Sequence, residues 1–200
     1  NWRVTPQDPD LDYVLLVGDA NRGHEQDDWF LPAFFHFEFN IGYMYGDNKY
    51  VCVDGEDPIP DLMIGRFPAQ NEAELAVMSS KTINFETHPP EGQNHWGTRA
   101  VSLTGGFGAG APIGHQIRDM LINRRQEVRE WNNDDGGYGF NGFDVAQLLN
   151  NEGALVVIHT GHGETNGWQP TTVNVSDLNN INQTPALVFS YSCLTGTFTL

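Results

Sequence analysis

His162 and Cys193 are the two residues of this chain whose types and positions most clearly suit chemistry. Each follows a short apolar run: Ala154-Leu-Val-Val-Ile-His-Thr-Gly precedes the histidine, and Pro185-Ala-Leu-Val-Phe-Ser-Tyr-Ser precedes the cysteine. Such runs, rich in β-branched residues and bounded by Gly and Pro, are typical of buried strands in a parallel sheet. A thiol with an imidazole partner is the pair used in nucleophilic catalysis by cysteine. The two runs therefore predict a candidate catalytic dyad.

The predicted strands must bring the two residues to one place. The polar segment 164–184 is long enough for a crossover connection between parallel strands. Adjacent parallel strands end at the same edge of a sheet, where open α/β proteins place their active sites. We therefore expect His162 and Cys193 side by side, just past the carboxyl ends of their strands. Gly161 and Gly163 flank the histidine and allow close backbone approach, and the amides of Gly163 and Cys193 are candidate oxyanion donors.

The rest of the chain alternates between strand and helix patterns. This alternation predicts an α/β protein with a mostly parallel sheet. The thirty residues after the first strand are expected to be irregular, with their many aromatic side chains packed against a core or a partner. A Pro-rich polar break at 87–95 marks the best boundary, so we predict two subdomains, residues 1–90 and 91–200. Strands are predicted at 12–17, 62–67, 100–105 and 128–131, and helices at 70–86 (with Asn71 as cap), 112–126 and 143–150.

Composition limits the classes of partner. The chain has a formal net charge of −16, and only two of its ten basic residues are lysines. An acidic field of this size disfavours nucleic acid and anionic membranes, which bind basic patches. It fits cationic partners, divalent metals or simple solubility. The chain has no apolar run long enough to span a membrane, and its two cysteines provide no disulfide framework.

Four blocks of the sequence resemble the gingipain family of cysteine peptidases, family C25 of the caspase-like clan. Ile158-His-Thr-Gly-His-Gly-Glu-Thr-Asn-Gly-Trp168 resembles the His-Gly block of that family. Phe189-Ser-Tyr-Ser-Cys-Leu-Thr-Gly196 resembles its Cys block, in which a small residue precedes the cysteine. Tyr13-Val-Leu-Leu-Val-Gly-Asp19 and Asp61-Leu-Met-Ile-Gly-Arg-Phe67 are similar to two upstream blocks, in the order of the family.

The resemblance implies a caspase-like three-layer α/β sandwich with mostly parallel sheets and two subdomains, the second carrying His162 and Cys193. It implies a secreted or surface-exposed cysteine endopeptidase that acts on proteins or peptides and needs no cofactor for catalysis. Catalytic domains of the family continue beyond the cysteine, so the chain is expected to be a fragment. Two alternatives stay open: a transpeptidase of the same fold, and a non-enzymatic caspase-like binding or surface module.

The resemblance also implies roles for residues outside the dyad. Asp61 matches a position that orients the histidine, although a turn residue at a strand start is an equal interpretation. Glu74 matches an acidic S1 residue that selects a basic P1, although a solvated helical Glu is the simpler interpretation. Trp168 is a candidate substrate-binding residue. Family members often bind calcium, for which the hard oxygen ligands here would be Asp47, Asp54, Glu56 and Asp57, although their spacing is not that of an EF-hand.

A transition-metal site is the remaining alternative for the histidines. His159 and His162 could ligate a metal together with Cys193. They are separated by three positions, an odd number, so their side chains point to opposite faces of a strand. The spacing therefore disfavours this site.

Overall fold

The computed structural model describes residues 11–21, 23, 25–38, 42–88, 96–105, 110–124, 127–132, 142–169, 173–179 and 186–195. The chain forms two compact units, and the boundary between them lies between Ser80 and Lys81. The boundary predicted at residue 90 stays a prediction, and 89–95 lie outside the described residues. Within the described part, no helix combines the length and the apolarity needed to cross a bilayer.

The first unit contains a parallel strand pair and an antiparallel hairpin. The parallel pair is β1 (Tyr13–Val17) with β4 (Met63–Phe67), and the hairpin is β2 (Phe34–Glu38) with β3 (Gly42–Gly46). Alternate residues of β1 are exposed, among them Tyr13 and Leu15. The strand prediction is thus confirmed, but its full burial was wrong because one face of β1 stays open among the described residues. Helix α1 (Glu72–Thr87) follows β4 and continues into the second unit.

The second unit is built on a parallel sheet. The elements are β5 (Arg99–Gly105), α2 (Gly110–Asn123), β6 (Glu127–Asn132), α3 (Gly142–Asn151), β7 (Val156–Glu164), β8 (Gly167–Gln169), β9 (Val173–Asn174) and β10 (Leu187–Tyr191). The strand order is β6-β5-β7-β10, all parallel, and β8 and β9 extend from β7 in antiparallel pairing. This architecture confirms the predicted α/β class, and the helices and strands predicted for this unit are present.

The core of the second unit lies around β5 and β7. Val101 and Leu103 of β5 and Val157 of β7 are buried together with Val145 of α3. All seven residues of β5 are buried, because β6 and β7 flank the strand and α2 packs against it. Gly114 of α2 lies so close to β5 that a Cβ there would stand 3.0 Å from the Cβ of Thr104.

The strand before Cys193 is much less protected. All five residues of β10 are exposed, so the prediction of a buried strand was correct in type but wrong in burial. β10 lies at the edge of the described sheet, and β7 is the only described element with which it makes extensive contacts. An apolar run reports that a strand can be buried, whereas burial itself depends on what covers the strand.

Candidate active site

His162 lies on β7, and Cys193 follows β10, the strand that pairs with β7. In the parallel pairing of β7 with β10, Tyr191 lies opposite Thr160. His162 follows Thr160 by two residues on β7, and Cys193 follows Tyr191 by two residues, just beyond the last paired position of β10. One expectation needs correction: β7 does not end before His162 but continues to Glu164, with His162 paired to Gln169 of β8. The segment predicted as a simple crossover therefore begins with a β-hairpin that holds the histidine in a strand.

Gly163 is the point where the two chain segments touch. A Cβ at this position would collide with the carbonyl oxygen of Cys193 and would lie 3.0 Å from the Cβ of Ser192. The backbone next to His162 therefore packs directly on the backbone of the Cys193 turn. This is the close approach for which the flanking glycines were expected.

Cys193 is exposed and begins a tight turn. The amide of Thr195 donates a hydrogen bond to the Cys193 carbonyl at 2.8 Å. Between them, Leu194 has φ of 61°, and it is the single non-glycine residue with positive φ in the described part of the chain. A bond from residue i to i+2 around a left-handed residue defines a strained γ-turn. Backbone strain of this kind concentrates at functional sites, and here it directly follows the candidate nucleophile.

The two histidines of β7 have opposite surroundings, as their spacing predicts. His162 is exposed, whereas His159 is 1% exposed. Burial lowers the pKa of His159 to about 4, and a hydrogen bond to the Gln169 carbonyl opposes this shift in part. The ring is therefore neutral near pH 7. Sequence reasoning considered His159 only as a metal ligand, and no three potential metal-binding side chains converge within the described residues.

A group of three hydroxyls lies under the Cys193 turn. Ser190 Oγ lies 2.7 Å from Ser192 Oγ and 2.9 Å from Thr195 Oγ1, which is itself 3.2 Å from Ser192 Oγ. We call Ser190, Ser192 and Thr195 the hydroxyl cluster. Nδ1 of His159 lies 3.3 Å from Ser192 Oγ, and the indole Nε1 of Trp168 donates to Ser190 Oγ at 3.0 Å. None of these contacts was foreseen from the sequence.

Trp168, the predicted substrate-binding residue, lies beside the same cluster. Its ring stacks on that of His159, with centroids 4.9 Å apart and planes at 14°. It also forms part of a cavity of about 190 Å³ whose lining is mainly apolar. The cavity walls include Glu164, two residues after His162, and Thr195, two residues after Cys193; other lining residues are Val173, Leu178 and Val188.

Asp61 belongs to the first unit and orders the loop before β4. Its Oδ2 accepts hydrogen bonds from the amides of Val53 at 2.7 Å and Asp54 at 2.9 Å. The bonds from Asp54 and Val53 lower the pKa of Asp61. These contacts agree with the turn interpretation of this residue. Its role in orienting the histidine stays a prediction.

Glu74 caps the first turn of α1. Asn71 Oδ1 accepts the Glu74 amide at 3.0 Å, which confirms Asn71 as the helix cap. The Glu74 carboxylate in turn accepts the Gln70 amide at 2.9 Å and the Asn71 side-chain amide at 3.0 Å. These reciprocal bonds resemble a capping box and give the carboxylate a structural task. Its role in the S1 pocket stays a prediction.

The candidate calcium ligands do not form a ligand set. Both carboxylate oxygens of Asp47 bind the buried guanidinium of Arg66, at 2.7 and 2.6 Å. Asp57 Oδ1 accepts the amide of Ile59 at 2.8 Å, and Asp54 and Glu56 are exposed. Their arrangement in the described residues does not fit a calcium site, so calcium binding stays a prediction from the resemblance alone.

Comparison with known families identifies the chain. The model of peptidase family C25 matches residues 1–200. The chain belongs to peptidase family C25. Over 94% of its length it is 27% identical to gingipain R2 and to gingipain R1, both from Porphyromonas gingivalis. The match covers 25% of the former and 18% of the latter, so the chain spans a quarter or less of these relatives.

Solved structures show the same fold for this C25 member. The crystal structure of gingipain R, described as an Arg-specific cysteine proteinase, matches 94% of this chain with a TM-score of 0.74 and 21% identity. A complex of gingipain pro- and mature domains also gives a TM-score of 0.74, at 20% identity. The chain covers 42% and 43% of the two solved chains. The predicted caspase-like α/β fold and the predicted family are thereby confirmed.

Proposed function

We propose that this chain carries the catalytic His and Cys of a cysteine endopeptidase. The observation that supports this best is the contact of Gly163, the residue after His162, with the turn that begins at Cys193, at the end of the strand that pairs with β7. An exposed thiol at the start of a strained turn, with an exposed imidazole on the adjacent strand, suits attack on a carbonyl. Family membership supports the same reaction class.

The reaction proceeds in two balanced steps. The Cys193 thiolate attacks the scissile carbonyl, and the tetrahedral oxyanion is bound by the amides of Gly163 and Cys193. When the C–N bond breaks, His162 gives a proton to the leaving amine and the acyl group remains on sulfur as a thioester. Water then attacks the thioester, His162 takes its proton, and the acid product leaves with regeneration of the thiolate.

Cleavage of a peptide library under reducing conditions, with calcium present, tests this proposal. The protein should be the longest native polypeptide that contains this sequence. We expect Cys193→Ala to abolish cleavage and Cys52→Ala to preserve it, because Cys52 is half-buried with its Sγ 3.2 Å from the Asn48 carbonyl. Cleavage that persists in Cys193→Ala contradicts the proposal.

A basic P1 preference is part of the proposal. A relative of the same fold is described as Arg-specific, and the chain offers two acidic candidates. Glu74 has the position that the resemblance implies, but its carboxylate caps α1. Glu164 lines the cavity beside Trp168 and follows the histidine by two residues. Comparing the P1 profiles of Glu74→Gln and Glu164→Gln assigns the role, and an unchanged preference in both variants excludes both residues.

Thiol reactivity separates the enzyme from a non-enzymatic surface module. A catalytic Cys193 should be alkylated at pH 7 faster in the folded than in the unfolded protein, whereas Cys52 should be slower. If Cys193 gains no rate on folding, the binding-module alternative is favoured. Ligated products in the presence of added amines would instead indicate a transpeptidase. Secretion or surface display rests on the resemblance alone and is also a proposal.

A further inference from the structure

His159 is a buried polar side chain with a complete set of partners. Burying an imidazole costs free energy unless both ring nitrogens are hydrogen-bonded. Nδ1 lies 3.3 Å from Ser192 Oγ, and the ring also bonds the Gln169 carbonyl. Since Nδ1 faces Ser192, Nε2 is the ring nitrogen that remains for this carbonyl; both atoms lie near Gly161, 3.0 and 3.2 Å from where a Cβ of that residue would stand.

These partners fix the direction of the hydrogen bonds. A carbonyl oxygen accepts only, so Nε2 of His159 carries the proton that is donated to Gln169. In a neutral ring Nδ1 is then the acceptor, and the Ser192 hydroxyl donates to it. The low pKa that burial imposes on His159 is consistent with a neutral ring. Ser192 is thereby tied to the buried strand that also carries His162.

Ser192 directly precedes the strained γ-turn. Thr195 Oγ1, at the other end of the turn, lies 3.2 Å from Ser192 Oγ and 3.3 Å from the Ser192 carbonyl oxygen. A left-handed Leu194 persists only when its surroundings over-determine the backbone. β10 is exposed along its length, so apolar packing of this strand contributes little to the restraint. The turn is held by its packing on Gly163 and by the polar contacts of Ser192 and Thr195.

We propose that His159 is a positioning residue for Cys193, which acts through the Ser192 hydroxyl to hold the γ-turn in the shape that presents the thiol. His159 touches neither substrate nor thiol in this scheme. Its effect on catalysis rests on the proposed function, whereas its effect on the turn does not. The two consequences can therefore be measured separately.

Three variants test the hydrogen bonds at Nδ1 and Nε2 of His159 separately. His159→Asn keeps an acceptor oxygen close to the position of Nδ1, whereas His159→Gln keeps a donor close to the position of Nε2. Ser192→Ala removes the bridging hydroxyl with little change in volume. His88→Gln, at an exposed histidine that directly follows the first helix, is the matched control. Each variant is studied in the longest native polypeptide, with its unfolding midpoint measured beside the wild type.

The direct readout is hydrogen exchange of the Thr195 amide, which closes the γ-turn on the Cys193 carbonyl. We expect exchange about tenfold faster in His159→Gln and in Ser192→Ala, the factor that corresponds to one net hydrogen bond. His159→Asn and His88→Gln should stay near the wild-type rate. For peptide cleavage, kcat should fall by about tenfold in the first two variants with KM unchanged.

The double variant His159→Gln with Ser192→Ala distinguishes a positioning role through Ser192 from a general effect of His159 on the stability of the fold. Because both changes remove the same link, the double variant should be no worse than either single variant. Additive losses, equal damage in His159→Asn and His159→Gln, or an unchanged Thr195 exchange rate would each overturn the inference. A wild-type protein that cleaves nothing while its Thr195 exchange follows the expected pattern refutes the proposed function and leaves the positioning role standing.

Discussion

β5 and β10 pair in parallel with the two sides of β7, but their surroundings are opposite. Every residue of β5 is buried, and Val101 and Leu103 belong to the apolar core. Every residue of β10 is exposed, with Phe189 at 49% and Tyr191 at 64%. β5 is buried on both faces and lies between two paired strands, whereas β10 is held by backbone bonds to β7 and by polar side chains at its carboxyl end.

This difference in burial predicts that the two strands contribute to different properties: β5 to the stability of the sheet and β10 to the position of Cys193. The strand that carries the histidine shares its core with β5 and is therefore fixed by burial. The strand that leads to the cysteine depends on a few hydrogen bonds near the reactive residue. We expect substitutions in β5 to act mainly on folding, and substitutions at the end of β10 to act mainly on the geometry of the thiol.

The largest expected effect is on folding. Leu103→Ala should lower the free energy of unfolding by about 2.5–5 kcal/mol, because it removes a buried side chain and leaves a cavity. Phe189→Ala should lower it by less than about 1 kcal/mol, since its ring is already half in solvent. Denaturant unfolding of both variants measures the contrast. Equal losses would show that β10 is packed as firmly as β5.

Acid should weaken the link between β7 and β10 through His159. Its pKa is lowered by burial from 6.5 to about 4 in the folded protein, so the unfolded chain binds the proton first. The titration of this histidine therefore adds no pH dependence above about pH 6.5, and the free energy of unfolding falls as pH decreases from there to about 4. The total loss is about 3 kcal/mol.

Unfolding measured at pH 7 and at pH 4.5 tests this. His159→Phe should remove that part of the pH dependence while keeping an aromatic ring against Trp168. His88→Gln, an exposed control, should leave it in place. A His159→Phe variant with the full wild-type slope would assign the acid sensitivity to other groups.

Gly163→Ala should separate activity from stability. The added methyl meets the Cys193 carbonyl and Ser192, so the turn must shift. A displacement of about 1 Å at a catalytic group costs roughly a hundredfold in kcat/KM. Gly97→Ala is the matched control, because a Cβ there would meet nothing within 4 Å. Similar activities of the two variants would mean that the contact at Gly163 does not fix the thiol.

The smallest expected effect concerns β10 itself, where the loss of a polar contact is compared with the loss of an apolar side chain. Trp168→Phe keeps the aromatic stack but removes the indole donor to Ser190, at a cost of about 1 kcal/mol in stability. Leu187→Ser changes an exposed side chain and should cost less than about 0.5 kcal/mol. Urea midpoints of the two proteins give the order. If Leu187→Ser is the more damaging, β10 is held by apolar contacts after all.

Local patterns were sufficient for most elements and for the pairing of the two strands that lead to His162 and Cys193. β-Branched runs identified β4, β5, β7 and β10, and Asn71 marked the start of α1. The hairpin of β2 and β3 was missed because its aromatic residues were interpreted as irregular packing, although aromatic side chains favour strands. The predicted adjacency of β7 and β10 is confirmed by their parallel pairing, whereas the dyad of His162 and Cys193 stays a prediction.

Contacts over long sequence separations could not be predicted in the same way. His159 meets Ser192, which lies 33 residues later in the chain, and no periodicity in either segment encodes that meeting. The glycines around His162 suggested the end of a strand, whereas the hairpin with β8 carries β7 through them. The carboxylates of Asp61, Glu74 and Asp47 are each used by local amides or an arginine, and composition does not reveal such partners.

The open side of β10 also has a consequence for handling the protein. Among the described residues, β10 has a strand partner on one side only, and an edge with exposed Leu187, Phe189 and Tyr191 is a template on which another chain can add a strand. We therefore expect a concentrated preparation of this chain to self-associate through β10. A gatekeeper charge such as Phe189→Lys should keep the chain monodisperse in light scattering, because the Phe189 side chain is half exposed in this unit.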